Sequence, residues 1–237
     1  MHIHKRQTTD PVHRSGNRPT GFTLVELLTV ITIIGILAAI LIPTVGKVRR
    51  AADRAGCAAH LRNLHTFISL YAADHKERLP TAKADSRVPE LYWRRAILPY
   101  MNFPADGADH VYRTPGLVCR PVKRLVEVAN PGKGDIASYG FNIHLQVNVL
   151  TTFPLSGIKT PSRTLMASEA WLKSGGLPME HFQPSNIETY ATTPGGDYHD
   201  GAQNILFADG HVEIFRNILR ITRPPFSVGS GQDIWTP

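Results

Sequence analysis

Cysteine is scarce in this sequence, since Cys57 and Cys119 are the only two among 237 residues. They do not form a C-x-x-C pair, so the spacing typical of zinc ribbons and thiol oxidoreductases is absent. In an oxidising compartment the two residues either form a disulfide or stay as two separately buried thiols. Both alternatives remain open, because the sequence does not show whether the two Cα atoms come within bridging distance.

Recognisable catalytic motifs are missing as well. The chain has no G-x-S-x-G nucleophile elbow and no H-E-x-x-H metal motif, and Ser168-Glu169 alone makes no catalytic triad. His199 and His211 lack a third ligand at a spacing typical of zinc. We therefore expect neither an enzyme nor a cofactor.

Acidic residues are nearly absent from the longest apolar run. Residues 22–42 contain one carboxylate, Glu26, and are otherwise apolar apart from threonines and one glycine. As a helix, this run spans roughly 30 Å, the hydrocarbon thickness of a bilayer. It is longer than the apolar core of a signal peptide. We predict a transmembrane helix, in which a carboxylate is costly enough to indicate a function.

The formal net charge of +7 suggests anionic partners. Much of the basic excess lies in residues 1–21, and further basic residues follow the apolar run, so the charges do not orient the helix in a membrane. Basic residues beside a bilayer meet anionic lipid headgroups more often than a DNA groove. We expect membrane lipid, and not nucleic acid, as the anionic partner.

A short motif opens the apolar run. Gly21 precedes F-T-L-V-E-L-L, and this stretch resembles the processing site of type IV prepilins, which type IV pilins share with type II secretion pseudopilins. The resemblance implies that a prepilin peptidase cleaves after Gly21 at the cytoplasmic face and that Phe22 is then N-methylated. It also implies that residues 1–21 are a cytoplasmic leader and that the body faces outward.

The same resemblance implies roles for two residues of the helix. Glu26 would pair with the positive amine of Phe22 in a neighbouring subunit, because opposite charges attract strongly in a low-dielectric membrane. Pro43 resembles the proline at which pilin helices bend or melt on assembly, since proline removes one helical hydrogen bond. The implied partners are prepilin peptidase and other pilin or pseudopilin subunits.

The predicted fold is α+β and pilin-like, with a long N-terminal helix packed on a small antiparallel sheet. Residues 43–75 continue the helix as an amphipathic segment with one apolar stripe, formed by Cys57, Leu61, Leu64, Ile68 and Tyr71. Residues 76–237 form the globular body. A short helix is predicted within Leu91 to Met101, and strands are predicted at Leu117 to Cys119, Leu125 to Val128, Tyr139 to Leu150 and Thr164 to Ser168.

An Asp-Gly pair at 209–210 separates two alternating runs and predicts a hairpin. With a two-residue turn, Phe207 faces Val212 across the hairpin. Ile205 then faces Ile214.

His199 precedes Asp209-Gly210 with nine residues between. This spacing resembles the C-terminal H-x9-D-G element of a large group of pilin-like proteins. The segments S-Y-G-F-N at 138–142 and P-S-R-T at 161–164, and both cysteine positions, also resemble that group.

Asp197, Asp200 and Asp209 form an acid-rich, turn-rich region that offers ligands for Ca²⁺. Their spacing is not that of an EF-hand. The alternative is a loop whose aspartates cap their own backbone turns.

The function implied by the resemblance is a structural subunit of a type II secretion pseudopilus or a type IV pilus. The subunit would sit in a bacterial inner membrane, with its body in the periplasm. Two alternatives stay open. One is a binding module at the filament tip that recognises a secreted substrate, a surface or DNA, and the other is an enzyme held by an uncleaved anchor.

Overall fold

The computed structural model of the chain describes the residues 21, 23–83, 89–103, 115–132, 138–148, 151–170, 172, 178–179, 181–182, 199 and 201–216. These residues belong to two compact units, residues 1–46 and residues 47–237, and each unit is described by itself. The expectations for Phe22, for the leader before Gly21, and for Asp197 and Asp200 lie outside the described residues.

One long helix, α1, begins at Leu24 and ends at Asp74, and it contributes residues to both units. The predicted long N-terminal helix is thereby confirmed. Among the described residues, α1 is the one helix whose length and composition suit it to cross a membrane, and an 18-residue window within it has a mean hydropathy of 2.7. Pro43 lies inside the helix, and the neighbouring Thr44 hydroxyl donates a hydrogen bond to the Leu41 carbonyl at 2.8 Å. The role of Pro43 in assembly stays a prediction.

The second unit is built on the apolar stripe of α1. All five stripe residues are buried, which confirms that prediction. They recur every three or four residues in a proline-free stretch rich in alanine and leucine, so helical periodicity places them on one face. That face packs into a core with side chains from the rest of the body, including Trp93, Ile97, Val122 and Phe141.

The body contains a sheet of five strands in the order β5-β1-β4-β6-β7. A second sheet pairs β2 with β3. The five-stranded sheet is mixed rather than antiparallel throughout, because β5 pairs with β1 in parallel while the other neighbours are antiparallel. The strands are β1 Tyr139–Asn142, β2 Gln146–Asn148, β3 Thr151–Thr152, β4 Leu165–Glu169, β5 His181–Phe182, β6 Ala202–Phe207 and β7 Val212–Arg216.

Two short helices accompany the sheets, α2 at Trp93–Ala96 and α3 at Arg120–Ala129. Single 3₁₀ turns occur at Pro89–Leu91, Pro99–Met101, Pro115–Leu117, Ile143–Leu145 and Leu155–Gly157. The helix predicted within Leu91 to Met101 is therefore a short helix flanked by two such turns.

Two predicted strands are wrong. Leu117 to Cys119 is the end of a 3₁₀ turn and the residue that caps α3, and Leu125 to Val128 lies inside α3. A proline in the first turn of α3 favours helix initiation, because its missing N–H needs no partner there. Val122 and Val126, four residues apart, bury the inner face of this helix.

The strand predicted from Tyr139 to Leu150 is interrupted. It consists of β1, a 3₁₀ turn and β2. The Asn142 side chain accepts a hydrogen bond from the His144 backbone N–H at 3.0 Å, which caps the turn and ends β1. The strand predicted at Thr164 to Ser168 matches β4 to within one residue.

The hairpin between β6 and β7 exists, but its register differs by one residue from the prediction. Leu206, not Phe207, pairs with Val212. The Gly210 N–H donates to the Phe207 carbonyl at 3.0 Å, and the Phe207 N–H donates to the His211 carbonyl at 3.0 Å, so the loop has three residues.

Gly210 has a φ of +92°, the left-handed conformation that such a three-residue loop requires. The second predicted pair, Ile205 with Ile214, is also wrong, because Ile205 pairs with Glu213. All six residues of β6 are buried, so an alternating apolar pattern could not fix its register.

Replacing Leu64 should destabilise the body because this side chain is fully buried in the core. We expect Leu64→Ala to lower the free energy of unfolding by about 2–5 kcal/mol. Leu70→Ala on the same helix is the control, since Leu70 is 47% exposed and should change the free energy by about 0.5 kcal/mol. Denaturant unfolding of the full chain in detergent, followed by near-ultraviolet circular dichroism, compares them. Equal losses would contradict the assigned core face.

Candidate functional site

The helix α1 begins with a reciprocal hydrogen-bonded cap between Thr23 and Glu26. The Thr23 backbone N–H and hydroxyl donate to Glu26 Oε2 at 2.8 and 2.9 Å, and the Glu26 N–H donates to Thr23 Oγ1 at 3.2 Å. This is a capping box, which satisfies backbone donors that a helix start leaves unpaired. The sequence carries the signal of a capping box, T-x-x-E before an apolar run. The sequence-based prediction for Glu26 included only a role in assembly and not this cap.

A buried carboxylate organises the second unit. Glu169 ends β4 and is fully buried. Its Oε2 accepts the Asn204 backbone N–H at 2.8 Å, and its Oε1 accepts the Asn204 side-chain amide at 2.7 Å. The Gln203 side-chain amide donates to the Glu169 backbone carbonyl. Since a buried charge is costly without such donors, β6 supplies the environment that Glu169 requires.

His199, the first residue of the H-x9-D-G element, is a partner of this carboxylate. The residue is 3% exposed, and Nε2 lies 2.9 Å from Glu169 Oε1. The same Nε2 atom lies 3.8 Å from Cys119 Sγ. In the sequence, Glu169 stands beside Ser168, which makes no triad with it, and no local motif marks Glu169 as the partner of His199.

Cys57 and Cys119 are joined by a disulfide, with Cα atoms 5.3 Å apart. The bond ties α1 to the residue that caps α3. Closing a loop with a sequence separation of 62 residues stabilises the fold by about 4 kcal/mol in a chain-entropy description. Cys119 Sγ also lies 3.9 Å from Glu169 Oε1, so the sulfurs, the carboxylate and the imidazole are neighbours.

Among the described residues, Cys57, Cys119, Glu169 and His199 form a group of buried metal-ligating side chains. Their donor atoms all lie within 4.8 Å of one another. We call these four residues the Glu169 cluster. The sequence predicts no metal at these positions, because the members of the group come from separate parts of the fold.

Tyr139 and His60 lie beside the cluster. The Tyr139 hydroxyl donates to the Cys57 carbonyl at 3.3 Å and lies 3.3 Å from His60 Nδ1. Burial raises the pKa of Tyr139 well above its usual value, and the charge of Glu169 adds to this shift. Burial also lowers the pKa of His60, with a further contribution from the charge of Arg120. Both side chains are therefore held neutral.

The other end of the H-x9-D-G element contacts α1. His65 Nε2 donates to the Ala208 carbonyl at 3.0 Å, and a Cβ atom on Gly210 would lie 2.8 Å from His65 Nδ1. The Ala208 and Asp209 N–H groups donate to the Thr164 and Pro161 carbonyls at 2.9 and 3.3 Å. The P-S-R-T segment and the Asp-Gly turn, separate in the sequence, thus meet.

Asp209 is engaged within its own turn. Its Oδ1 accepts the His211 N–H at 3.1 Å and lies 2.6 Å from His211 Nδ1. Burial raises the pKa of Asp209, but the hydrogen bonds and charge of His211 outweigh it, so the pKa is lowered. His211 and His199 therefore have different partners. The calcium interpretation stays a prediction, since Asp197 and Asp200 lie outside the described residues.

Comparisons with known proteins match the N-terminal motif and extend into the rest of the chain. A family model described as the prokaryotic N-terminal methylation motif matches residues 16–42. The type II secretion system core protein G of Pectobacterium carotovorum subsp. carotovorum is 30% identical over 128 residues, which cover 54% of this chain and 79% of that protein. The chain belongs to the pilin and pseudopilin family. It is a pilin-like subunit.

Other members of the pilin family are similar over shorter stretches. Competence protein ComGC of Halalkalibacterium halodurans is 43% identical over 61 residues, covering 26% of this chain and 59% of that protein. The type IV wide pilus major component PilA4 of Thermus thermophilus is 46% identical over 55 residues, covering 23% and 42%. No solved structure matches the chain.

Glu169→Gln should destabilise the body of this pilin-like subunit. Every oxygen of the carboxylate accepts an N–H, so the amide group of glutamine would face a donor and leave it unpaired. We expect the free energy of unfolding to fall by about 2–4 kcal/mol. Glu213→Gln on the exposed strand β7 is the control, with a change within about 0.5 kcal/mol. Urea unfolding of the full chain in detergent measures both, and an unchanged Glu169→Gln midpoint would refute the central role of the carboxylate.

Proposed function

We propose that this pilin-like subunit is cleaved after Gly21 by a prepilin peptidase at the cytoplasmic face of a bacterial inner membrane. The new terminal residue, Phe22, is then N-methylated, and the subunit is assembled into a type II secretion pseudopilus or a type IV pilus. The body faces the periplasm. The match of the N-terminal methylation motif to residues 16–42 and the similarity to core protein G support this proposal.

The observation that carries the proposal is the exposed apolar surface of the first half of α1. Large aliphatic side chains lie on all sides of this segment, and their exposed fractions range from 45% to 80% in Leu24, Val25, Leu27, Leu28, Val30, Ile31, Ile33, Ile34, Ile36, Leu37, Ile40, Leu41, Ile42 and Val45. A helix that is apolar on every side needs a non-aqueous environment. Lipid supplies it before assembly, and the helices of neighbouring subunits supply it in a filament.

Glu26 retains an acceptor for a partner from another subunit. Both Thr23 donors bind Oε2, whereas Oε1 has no hydrogen-bond partner among the described residues. A carboxylate accepts several hydrogen bonds, so one group can cap its own helix and also bind a neighbouring amine. Cleavage before Phe22 would create that amine. Glu26 thus joins helix capping and subunit docking in one side chain.

The mature N-terminus provides the most direct test. Mass spectrometry of the chain purified from bacterial membranes should find a terminal peptide that begins with methylated Phe22. The chain expressed without a prepilin peptidase is the control and should retain residues 1–21. A mature chain that begins at Met1, or near Ala39, would refute the processing step.

Two substitutions separate the charge of Glu26 from its capping role. Glu26→Gln keeps a side chain suited to a capping box but removes the charge, whereas Thr23→Val removes the hydroxyl and keeps the charge. A charge pair worth at least about 1.4 kcal/mol corresponds to a tenfold change in assembly. We therefore expect Glu26→Gln to reduce incorporation into filaments about tenfold or more, and Thr23→Val to reduce it less.

Immunoblotting of sheared filaments measures incorporation, and mass spectrometry confirms that each variant is cleaved. Normal incorporation of Glu26→Gln, with normal cleavage, would contradict the proposed charge pair.

A further inference from the structure

The Glu169 cluster combines the side-chain types that bind zinc. Thiolate, imidazole and carboxylate are its usual protein ligands, and four of them form a closed structural site. Each of the four residues is between 0% and 3% exposed. Two potential thiolates favour Zn²⁺ over Ca²⁺ or Mg²⁺, which prefer oxygen ligands. A disulfide alone requires neither a carboxylate nor an imidazole next to its sulfur atoms.

The distances in the cluster are close to those of a tetrahedral zinc site. Metal–ligand bonds of about 2.0–2.3 Å place the ligands of a tetrahedron about 3.3–3.8 Å from one another. Cys119 Sγ lies 3.8 Å from His199 Nε2 and 3.9 Å from Glu169 Oε1. His199 Nε2 and Glu169 Oε1, now 2.9 Å apart, would separate slightly. Cys57 Sγ lies within 4.8 Å of the Glu169 and His199 donor atoms, and it can take its place among them once it parts from Cys119 Sγ, which needs reduction of the disulfide.

We propose that the reduced chain binds one Zn²⁺ through Cys57 Sγ, Cys119 Sγ, Glu169 Oε1 and His199 Nε2. In the oxidised chain the disulfide joins Cys57 to Cys119, and in the reduced chain the metal joins them. A dithiol supplies two electrons and two protons: the S–S bond breaks, two S–H bonds form, and the dithiol becomes a disulfide. Zn²⁺ next displaces the two thiol protons, which pass to water, and His199 binds the metal in the tautomer with its proton on Nδ1, which leaves the Nε2 lone pair for the metal.

The exchange leaves the charge of the interior unchanged. Two thiolates and one Zn²⁺ have a net charge of zero, and the disulfide is also neutral. The net charge beside Glu169 is therefore the same in either state. Asn204 continues to orient the carboxylate through its backbone N–H on Oε2, at 2.8 Å. Such outer-shell hydrogen bonds hold metal ligands in place. The proposed site is independent of N-terminal cleavage and of filament assembly.

The test compares the two forms of the untagged full chain in detergent, one with the disulfide and one reduced by a dithiol that is then removed without oxygen. A thiol assay counts the free cysteines. Zinc is then titrated in competition with a chromophoric chelator. We expect one Zn²⁺ per reduced chain, bound at least about 100-fold more tightly than by the disulfide form, because two thiolate ligands are gained. The histidines at positions 2, 4 and 13 occur in both forms. Zinc bound to them therefore does not contribute to the difference in zinc binding between the two forms.

Equal zinc affinity of the two forms would overturn the proposal. Cobalt provides an independent measurement, because a reduced site should show sulfur-to-cobalt charge-transfer absorption with tetrahedral ligand-field bands. The absence of these bands in the reduced chain would also overturn it.

Variants assign the ligands. Cys119→Ser should lower the sulfur-to-cobalt absorption, and His199→Gln should weaken zinc binding about tenfold or more. His211→Gln is the matched control, since His211 binds Asp209 and not the cluster. In addition, zinc should slow alkylation of the reduced thiols about tenfold or more in the wild-type chain, which needs no variant to fold. Alkylation at the same rate with and without zinc would refute the site.

Discussion

The fold of the body depends on one buried carboxylate, Glu169, which needs hydrogen-bond donors around it. Moving a carboxylate out of water costs several kcal/mol unless donors surround it. Asn204 provides two of them and holds β6 beside β4. His199 provides the third contact and brings the chain before β6 against Cys119. Through the disulfide to Cys57, the same group of contacts reaches α1.

The N-terminal unit obeys a different constraint. Its apolar side chains are exposed, and water is therefore the wrong solvent for it. In a membrane the backbone groups at a helix start have no water to bind, so an internal cap is worth more there. Thr23 and Glu26 supply that cap. Glu26, whose carboxylate is unfavourable in an apolar segment, thus stabilises the start of the helix.

Sequence patterns predicted the elements that show a regular spacing of apolar residues. They did not predict the features that depend on tertiary structure. The helix α1 and its buried stripe follow from a periodicity sustained over many turns. The segment that forms α3 was misread because a short apolar run fits a strand or a helix equally well. The β6 register was missed because both faces of that strand are buried. Glu169 had no local signal, since its partner His199 lies 30 residues away in the sequence.

The nine-residue spacing between His199 and Asp209 has a physical explanation in two fixed anchors. His199 is held at the end of β4 by Glu169, and the Asp-Gly turn is held on α1 by His65. Between the anchors lies β6, whose six residues span about 20 Å and whose last three residues pair antiparallel with β4. One residue more or less would exchange the side chains between the two buried faces of β6, or pull one anchor from its partner. The spacing is therefore set by strand length between two contacts, and it needs no ligand at the turn.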